Sequence, residues 1–321
     1  MPRPGPLRTF RPSTSMRAVV LGAAAGGAFP QWNSNAAPCR RARAGDTTAR
    51  PRTQASLAVS ANGVDWVVLN ASPDLRQQIE QTPALHPQHG VRSSPIAAVV
   101  LTGGDVDAIA GLLTLRERQP LTVLATPRVH AVLDDNPVFE VLARGIVARQ
   151  LVELDTPTVI PLPGGGSSGL TVELFAVPGK VPLYLETSDT MPVLQEDGTT
   201  VGAAVSDGNA TLFYIPGCAA MTPRLADRLR GAAAVFFDGT LWSDDEMVRA
   251  GLGPKTGRRM GHMSVSGPDG TMAAFEGLGV QRRVLLHINN SNPILLDNSP
   301  ERAAVNAAGW DVAYDGMELT L

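Results

Sequence analysis

Only two cysteines, Cys39 and Cys218, occur in the 321 residues. Such scarcity excludes a disulfide framework as the source of stability in a chain of this size and points to a reducing compartment, the cytoplasm. Long hydrophobic runs are missing too: no uninterrupted apolar stretch approaches the roughly 18 residues of a membrane-spanning helix, so no integral membrane segment is expected. Charge of one sign is absent as well. With 27 basic and 30 acidic side chains the net charge is −3, which gives no broad attraction to a polyanion and excludes nucleic acid as the main partner. No fixed-period repeat is present.

What the sequence does contain is turn-formers and core. There are 32 glycines and 26 prolines, while 44% of residues are hydrophobic and 18% charged. This is a globular composition rich in turns, since a disordered low-complexity chain would carry roughly 25–30% Gly and Pro. The first fifteen residues hold four prolines, three arginines and no acid. They lack the apolar core of a secretory signal and cannot form an amphipathic transit helix. Residues 1–15 are therefore expected outside the fold, as a disordered tail or as upstream sequence preceding a start at Met16.

From Met16 the strand-like RAVVLG opens into the small-residue loop AAAGGAFPQWN. ASLAVS and WVVLNASPD follow, separated by Asn62-Gly63, a pair suited to a tight type I′ hairpin turn. A helix is expected over Pro73–Glu80, then a buried strand at IAAVVLT and a helix at DAIAGLLTLRER. The later half reads as further apolar runs, LTVLAT, VHAVLDDNPVFEVLARG, LTVELFAVPG, ATLFYIPG, AAAVFFDG and RRVLLHINN, with GGGSSG at 164–169 as a surface loop. Strand pairs followed by strand–helix units imply an α/β sandwich with its sheets inside. Most runs end in Gly, Pro, Asp, His or Asn, and such strand ends are where loops converge on a site.

Three of these ends carry chemistry. Asp105 and Asp107 stand two apart between a strand and a helix, where hard oxygen ligands can take a divalent cation; one aspartate there can equally serve as an N-cap. Asp238 ends the apolar run VFFD before a glycine, where a plain Asp-Gly turn is the alternative. His287 ends RRVLLH, and His262 lies upstream in RRMGHM. Either histidine alone reads as structural, but two imidazoles and three carboxylates at loop and strand ends make a metal constellation a candidate.

Nine segments in order, RAVVLGAAAGGAFPQWN, RPRTQASLAVS, VLNASPDLRQQI, LTGGDVDAIAGLLTLRE, VPGKVPLYLE, YIPGCA, FFDGT, KTGRRMGHMS and LLHINNSNP, resemble the PqqB family of pyrroloquinoline quinone (PQQ) biosynthesis proteins, within the metallo-β-lactamase superfamily. The resemblance covers nearly everything from Met16 to Leu321. It implies one domain over residues 16–321, folded as an αββα sandwich of two mixed sheets flanked by helices, with a metal cleft at one edge. It also implies a role in PQQ maturation, either as an iron-dependent hydroxylase acting on the cross-linked Glu–Tyr precursor or as a carrier helping PQQ or its precursor to the periplasm. PQQ or its precursor is the implied ligand. Other PQQ biosynthesis proteins and a second copy of the chain are candidate partners.

Against the superfamily motif Thr-His-x-His-x-Asp-His, this chain places Gly103 and Asp105 at the first two histidines, Asp107 at the aspartate and Ala108 at the last histidine. Ala108 departs even from the PqqB pattern, which keeps a histidine there. Pro178-Gly179-Lys180 stands where Pro-Gly-His is usual, and His262 and His287 match the last two histidines. The resemblance therefore implies one divalent ion, iron or zinc, at Asp105, Asp107, Asp238, His262 and His287, with Asp107, Asp238 and His287 catalytic; the two-metal hydrolase of the wider superfamily ranks third. Near the amino terminus the family's three-cysteine cluster is reduced to Cys39, so no structural zinc is expected. Lys255, Arg258 and Arg259, just before His262, are candidate clamps for a polycarboxylate ligand, with Arg52 and Arg76 weaker ones.

Overall fold

The computed structural model describes residues 15–186 and 196–321. Apart from Ser15, the expected tail 1–15 lies outside the described residues. Six strands in succession build most of the first sheet: β1 (Arg17–Gly22), β2 (Ser56–Ser60), β3 (Trp66–Leu69), β4 (Ile96–Val100), β5 (Leu121–Ala125) and β6 (Val147–Leu151). The next seven build the second: β7 (Thr158–Pro161), β8 (Ser167–Ala176), β9 (Val201–Ser206), β10 (Thr211–Ile215), β11 (Ala234–Asp238), β12 (Arg282–Leu286) and β13 (Asp311–Val312). The chain then returns, and β14 (Glu318–Thr320) pairs antiparallel with β1. Among the described residues the sheet orders are β14-β1-β2-β3-β4-β5-β6 and β13-β12-β11-β10-β9-β8-β7.

Both sheets are mixed. β3 to β6 run parallel in the first and β10 to β13 in the second, with antiparallel pairs at the other ends. Alternation decides which core each residue joins. Leu57 and Val59 face the other sheet and share its core cluster with Leu174, Val205 and Phe236, whereas Ala58 between them faces outward into the cluster that holds Leu75 and Leu112. In β11, likewise, Phe236 points inward while Val235 and Phe237 pack under Leu225, Phe275 and Trp310. Helices therefore cover both outer faces, and the strands read as continuous apolar runs because neither face is wet. This is the αββα sandwich expected from the sequence.

Local expectations needed adjustment. β2 and β3 do form a hairpin, but residues 61–65 connect them, not a two-residue turn. Gly63 takes a φ of +73°, while the Asn62 side chain accepts bonds from the Val64 and Asp65 amides at 2.8 and 2.9 Å. Asn62 thus acts as a side-chain cap of the loop. The expected helix at 73–80 is found at Leu75–Gln81, and that at 107–118 is one α-turn, Val106–Ile109, continued as a 3₁₀ segment, Ala110–Leu115. VHAVLD is helical within Pro127–Asp134, where Thr126 caps the first turn and Asp135 follows the last. The GGGSSG loop is shorter than expected, because β8 already begins at Ser167.

Candidate metal centre

Parallel strands deliver their carboxyl ends to one edge of the sandwich, the usual place for a site in such sheets. From the first sheet β4 leads through Thr102 to Asp105 and Asp107. From the second, β11 ends in Asp238, and β12 is followed at once by His287. His262 follows the short helix Gly257–Met260, which Gly261 terminates with a φ of +84°. Together these ends enclose a cavity of about 570 Å³, lined among others by Asp105, Asp107, Lys180, Thr240, His262 and His287.

Side chains on its floor, with Asp238 buried behind them, form one hydrogen-bonded chain. Asp107 Oδ2 lies 2.9 Å from His287 Nε2, and His287 Nδ1 lies 2.8 Å from the Thr240 hydroxyl. That hydroxyl is 2.6 Å from Asp238 Oδ1, whose Oδ2 sits 2.6 Å from His262 Nδ1. The two imidazoles stack, with centroids 5.2 Å apart. His287 holds its position with a φ of 57°, a left-handed conformation rarely adopted outside glycine, Asn and Asp. Strain of this kind persists where surrounding contacts impose it, often at a functional site.

The three carboxylates differ in their surroundings. Asp238 is fully buried and accepts further bonds from the Cys218 amide at 2.9 Å and the Thr240 amide at 3.0 Å. Burial works to raise its carboxyl, but the charge and hydrogen bond of His262 outweigh it and hold the group below the usual carboxylate range. Asp107 behaves alike, with His287 offsetting burial. Asp105 is pushed up by burial and by the neighbouring charge of Asp107. Its backbone stands at the N-cap position, yet its side chain makes no capping bond, so capping does not account for the residue. His287 is pulled down by burial and raised more by its bond to Asp107 and the surrounding carboxylates, so the net direction is up.

Donor chemistry fits one divalent ion. Asp238, His262 and His287 offer a carboxylate oxygen and two imidazole nitrogens within 4.8 Å of one another, a mixture suited to iron or zinc. Asp107 reaches this group only through its bond to His287, and neither it nor Asp105 is one of the three. Positions that the superfamily motif gives to histidine carry Gly103, Asp105, Ala108 and Lys180, and Ala108 lines the cavity while belonging to the core cluster that includes Leu112 and Val129.

Other expected residues are more scattered. Lys255 lines the cavity, whereas Arg259 is turned to Glu186 at 2.8 Å. Arg258 is exposed and does not line the cavity. Arg76 is exposed on its helix. Arg52 is buried and bonded to the carbonyls of Ala313, Arg50 and Leu295, so it braces loops and does not reach a ligand. Cys218 is buried with its thiol 3.2 Å from the Ala220 carbonyl; its contribution to the site is the backbone amide on Asp238. Two residues escaped attention in the sequence. Thr240 had a usable signal, its place two residues after Asp238, while Glu186 had none that set it apart: Lys180 is six residues before it, but Arg259 lies 73 away.

Comparison with known proteins fits this geometry. The family model described as a beta-lactamase superfamily domain matches residues 65–288, which defines the class as a metallo-β-lactamase fold. Coenzyme PQQ synthesis protein B of Gluconacetobacter diazotrophicus is 63% identical over 302 residues, covering 94% of this chain and 98% of that protein. The crystal structure of Zn²⁺-bound PqqB from Methylobacterium extorquens superposes with a TM-score of 0.91 at 52% identity, over 95% of this chain and 100% of that one. A diphosphatase of the PhnP family shares the fold at a TM-score of 0.65 and 19% identity, over 96% and 97% of the two chains. The chain belongs to the coenzyme PQQ synthesis protein B family.

Proposed function

We propose that this chain serves PQQ biosynthesis by binding PQQ or its Glu–Tyr-derived precursor in the cleft, beside one divalent ion held by Asp105, Asp107, Asp238, His262 and His287, and that with iron it hydroxylates the precursor. The observation that carries this reading is the convergence of Asp105, Asp107, His262 and His287 on a cavity of about 570 Å³, with Asp238 bonded to His262 behind them and Lys180 and Lys255 also on the lining. When bound, iron supplies dioxygen activation next to a tyrosine-derived ring. Asp107 orients His287 through Nε2, Asp238 orients His262 through Nδ1, and Thr240 joins the two halves. Burial and Asp107 push the Asp105 carboxyl up, a cost that a bound cation would relieve. Leu183, Tyr184 and Met260 give the wall an apolar face for a ring, and the lysines complement carboxylates.

Residues 16–321 act as one domain in this reading, supported by the pairing of β14 with β1, and the low cysteine count supports work in the cytoplasm. A carrier role is the second reading, favoured by one observation: Ala108 removes an imidazole from the edge of the site. Oxygen consumption by the iron-reconstituted protein with the cross-linked precursor separates the two. Turnover supports the hydroxylase; no turnover with PQQ still bound leaves the carrier. Activity appearing only in Ala108→His would mean that this copy has lost its chemistry.

A further inference from the structure

The space among Asp238, His262 and His287 is already filled. The Thr240 hydroxyl lies 2.6 Å from Asp238 Oδ1, 2.8 Å from His287 Nδ1 and 3.1 Å from His262 Nδ1, with the His287 carbonyl 3.0 Å away as well. A hydroxyl has one proton to give and two lone pairs to accept with. Its contact with the Asp238 carboxylate is the shortest of the four and has the length of a charge-assisted bond, so the proton goes there and the oxygen is left to accept. Asp238 is then saturated. Oδ1 takes the Thr240 amide and hydroxyl, and Oδ2 takes the Cys218 amide and His262 Nδ1. These bonds use up the roughly four acceptor positions of a carboxylate, and the residue is fully buried behind the cavity lining.

His287 Nδ1 therefore faces an acceptor and carries a proton. His262 Nδ1 does the same against Asp238 Oδ2 at 2.6 Å. With hydrogen fixed on Nδ1 of both rings, Nε2 is the nitrogen left for an ion, and that of His287 lies 2.9 Å from Asp107 Oδ2 at the cavity. We propose that Thr240 is a positioning residue of the metal centre: its hydroxyl, pinned by Asp238, keeps the proton on His287 Nδ1 and so presents Nε2, beside Asp107, to the ion. The inference rests on the metal reading given above and deepens it, placing Asp238 behind the rings that it orients. Thr240 is held for this task by the ends of two strands. Its carbonyl accepts from the Asn289 amide at 3.0 Å, the Gly239 amide donates to the Leu286 carbonyl at 2.7 Å, and Asn292 Nδ2 donates to the Gly239 carbonyl at 2.9 Å.

Thr240→Val keeps the shape of the side chain and removes its hydroxyl, while Thr240→Ser keeps the hydroxyl. Two measurements on the full chain test the assignment: zinc affinity by competition with a chromophoric chelator, and the imidazole N–H signals of isotope-labelled histidine by NMR, with and without zinc, assigned against His262→Gln. The wild type and Thr240→Ser are expected to show a proton on His287 Nδ1 in both states and zinc on Nε2. Thr240→Val is expected to lose that proton signal, to keep the one on His262 Nδ1, and to bind zinc about 10–100-fold more weakly, the usual effect of removing the partner that orients a ligand imidazole. A wild type without a proton on His287 Nδ1, or with zinc on that nitrogen, overturns the proposal whether or not Thr240→Val folds. So does a Thr240→Val that keeps the proton, even with weaker zinc binding, because that is a packing effect, and so does a Thr240→Ser as weak as Thr240→Val. Should no form bind zinc while the wild type carries the Nδ1 proton and Thr240→Val loses it, the hold of Thr240 on His287 stands and the metal reading alone falls.

Discussion

The cleft floor and the loop around Cys39 stand at two positions where the resembled family carries metal-ligand patterns, and they have been stabilised by opposite means. At the floor, carboxylates and imidazoles face one another across 2.6–2.9 Å. At the loop, the expected thiolates are mostly replaced and guanidinium groups hold the backbone. Arg43 donates to the Ser34 carbonyl at 2.6 Å and to that of Gln31, and Arg40 bonds the Asn35 carbonyl. Arg41 ties Asp46 at 2.7 Å and Thr48 at 2.7 Å. Cys39 itself is buried, with its thiol 3.7 Å from Asn290 Oδ1. The loop is braced on its own carbonyls, whereas a cluster of buried carboxylates gains from an ion, because their mutual repulsion and desolvation otherwise go uncompensated.

The sharpest way to break this contrast is to remove a donor from each side. Asp238→Asn or His287→Ala is expected to lower affinity for a divalent metal by about 100-fold, read by metal analysis after dialysis against a weak chelator; retained metal would place the ion elsewhere. Cys39→Ala is expected to leave metal content unchanged, and one equivalent of zinc lost with that substitution would overturn the distinction between the regions. A smaller effect is expected on stability. Arg43→Ala should cost about 1–2 kcal/mol in denaturant unfolding, the range for one or two partly exposed charge-assisted bonds, and little metal.

The smallest effect concerns pH. Asp46 titrates at about 2, lowered by its bonds from the Thr48 hydroxyl, Arg41 and the Thr48 amide. Because the folded value lies below that of the unfolded chain, the contribution is present above about pH 4 and is lost as pH falls through about 2. Asp46→Asn should therefore remove part of the acid sensitivity of the loop, visible in hydrogen exchange of residues 46–49, without altering the floor.

Much of this was legible in the residues themselves. Apolar runs ending in Asp238 and before His287 announced both strands, and the spacing of Asp105 and Asp107 announced a loop that could face a site. The short strand Val201–Ser206 was not announced, because Gly202, Ala203 and Ala204 carry little strand propensity and are held by pairing on both sides. Lysine and arginine near His262 were visible as a basic stretch. Nothing local, however, distinguished Lys255, which lines the cavity, from Arg258, which is exposed.

By itself, the sequence determined which segments become strands and which ends bear ligating side chains, since alternation, turn residues and strand-end chemistry are properties of neighbours in the chain. Only the tertiary structure decided that Thr240 joins the two histidines, that Asp238 is buried behind His262, and that Glu186 occupies the cations of Lys180 and Arg259. The reason is separation: Asp107 and His287 lie 180 residues apart, and Glu186 and Arg259 lie 73 apart. Contacts of that range are set by how two sheets pack, which no window of neighbouring residues encodes.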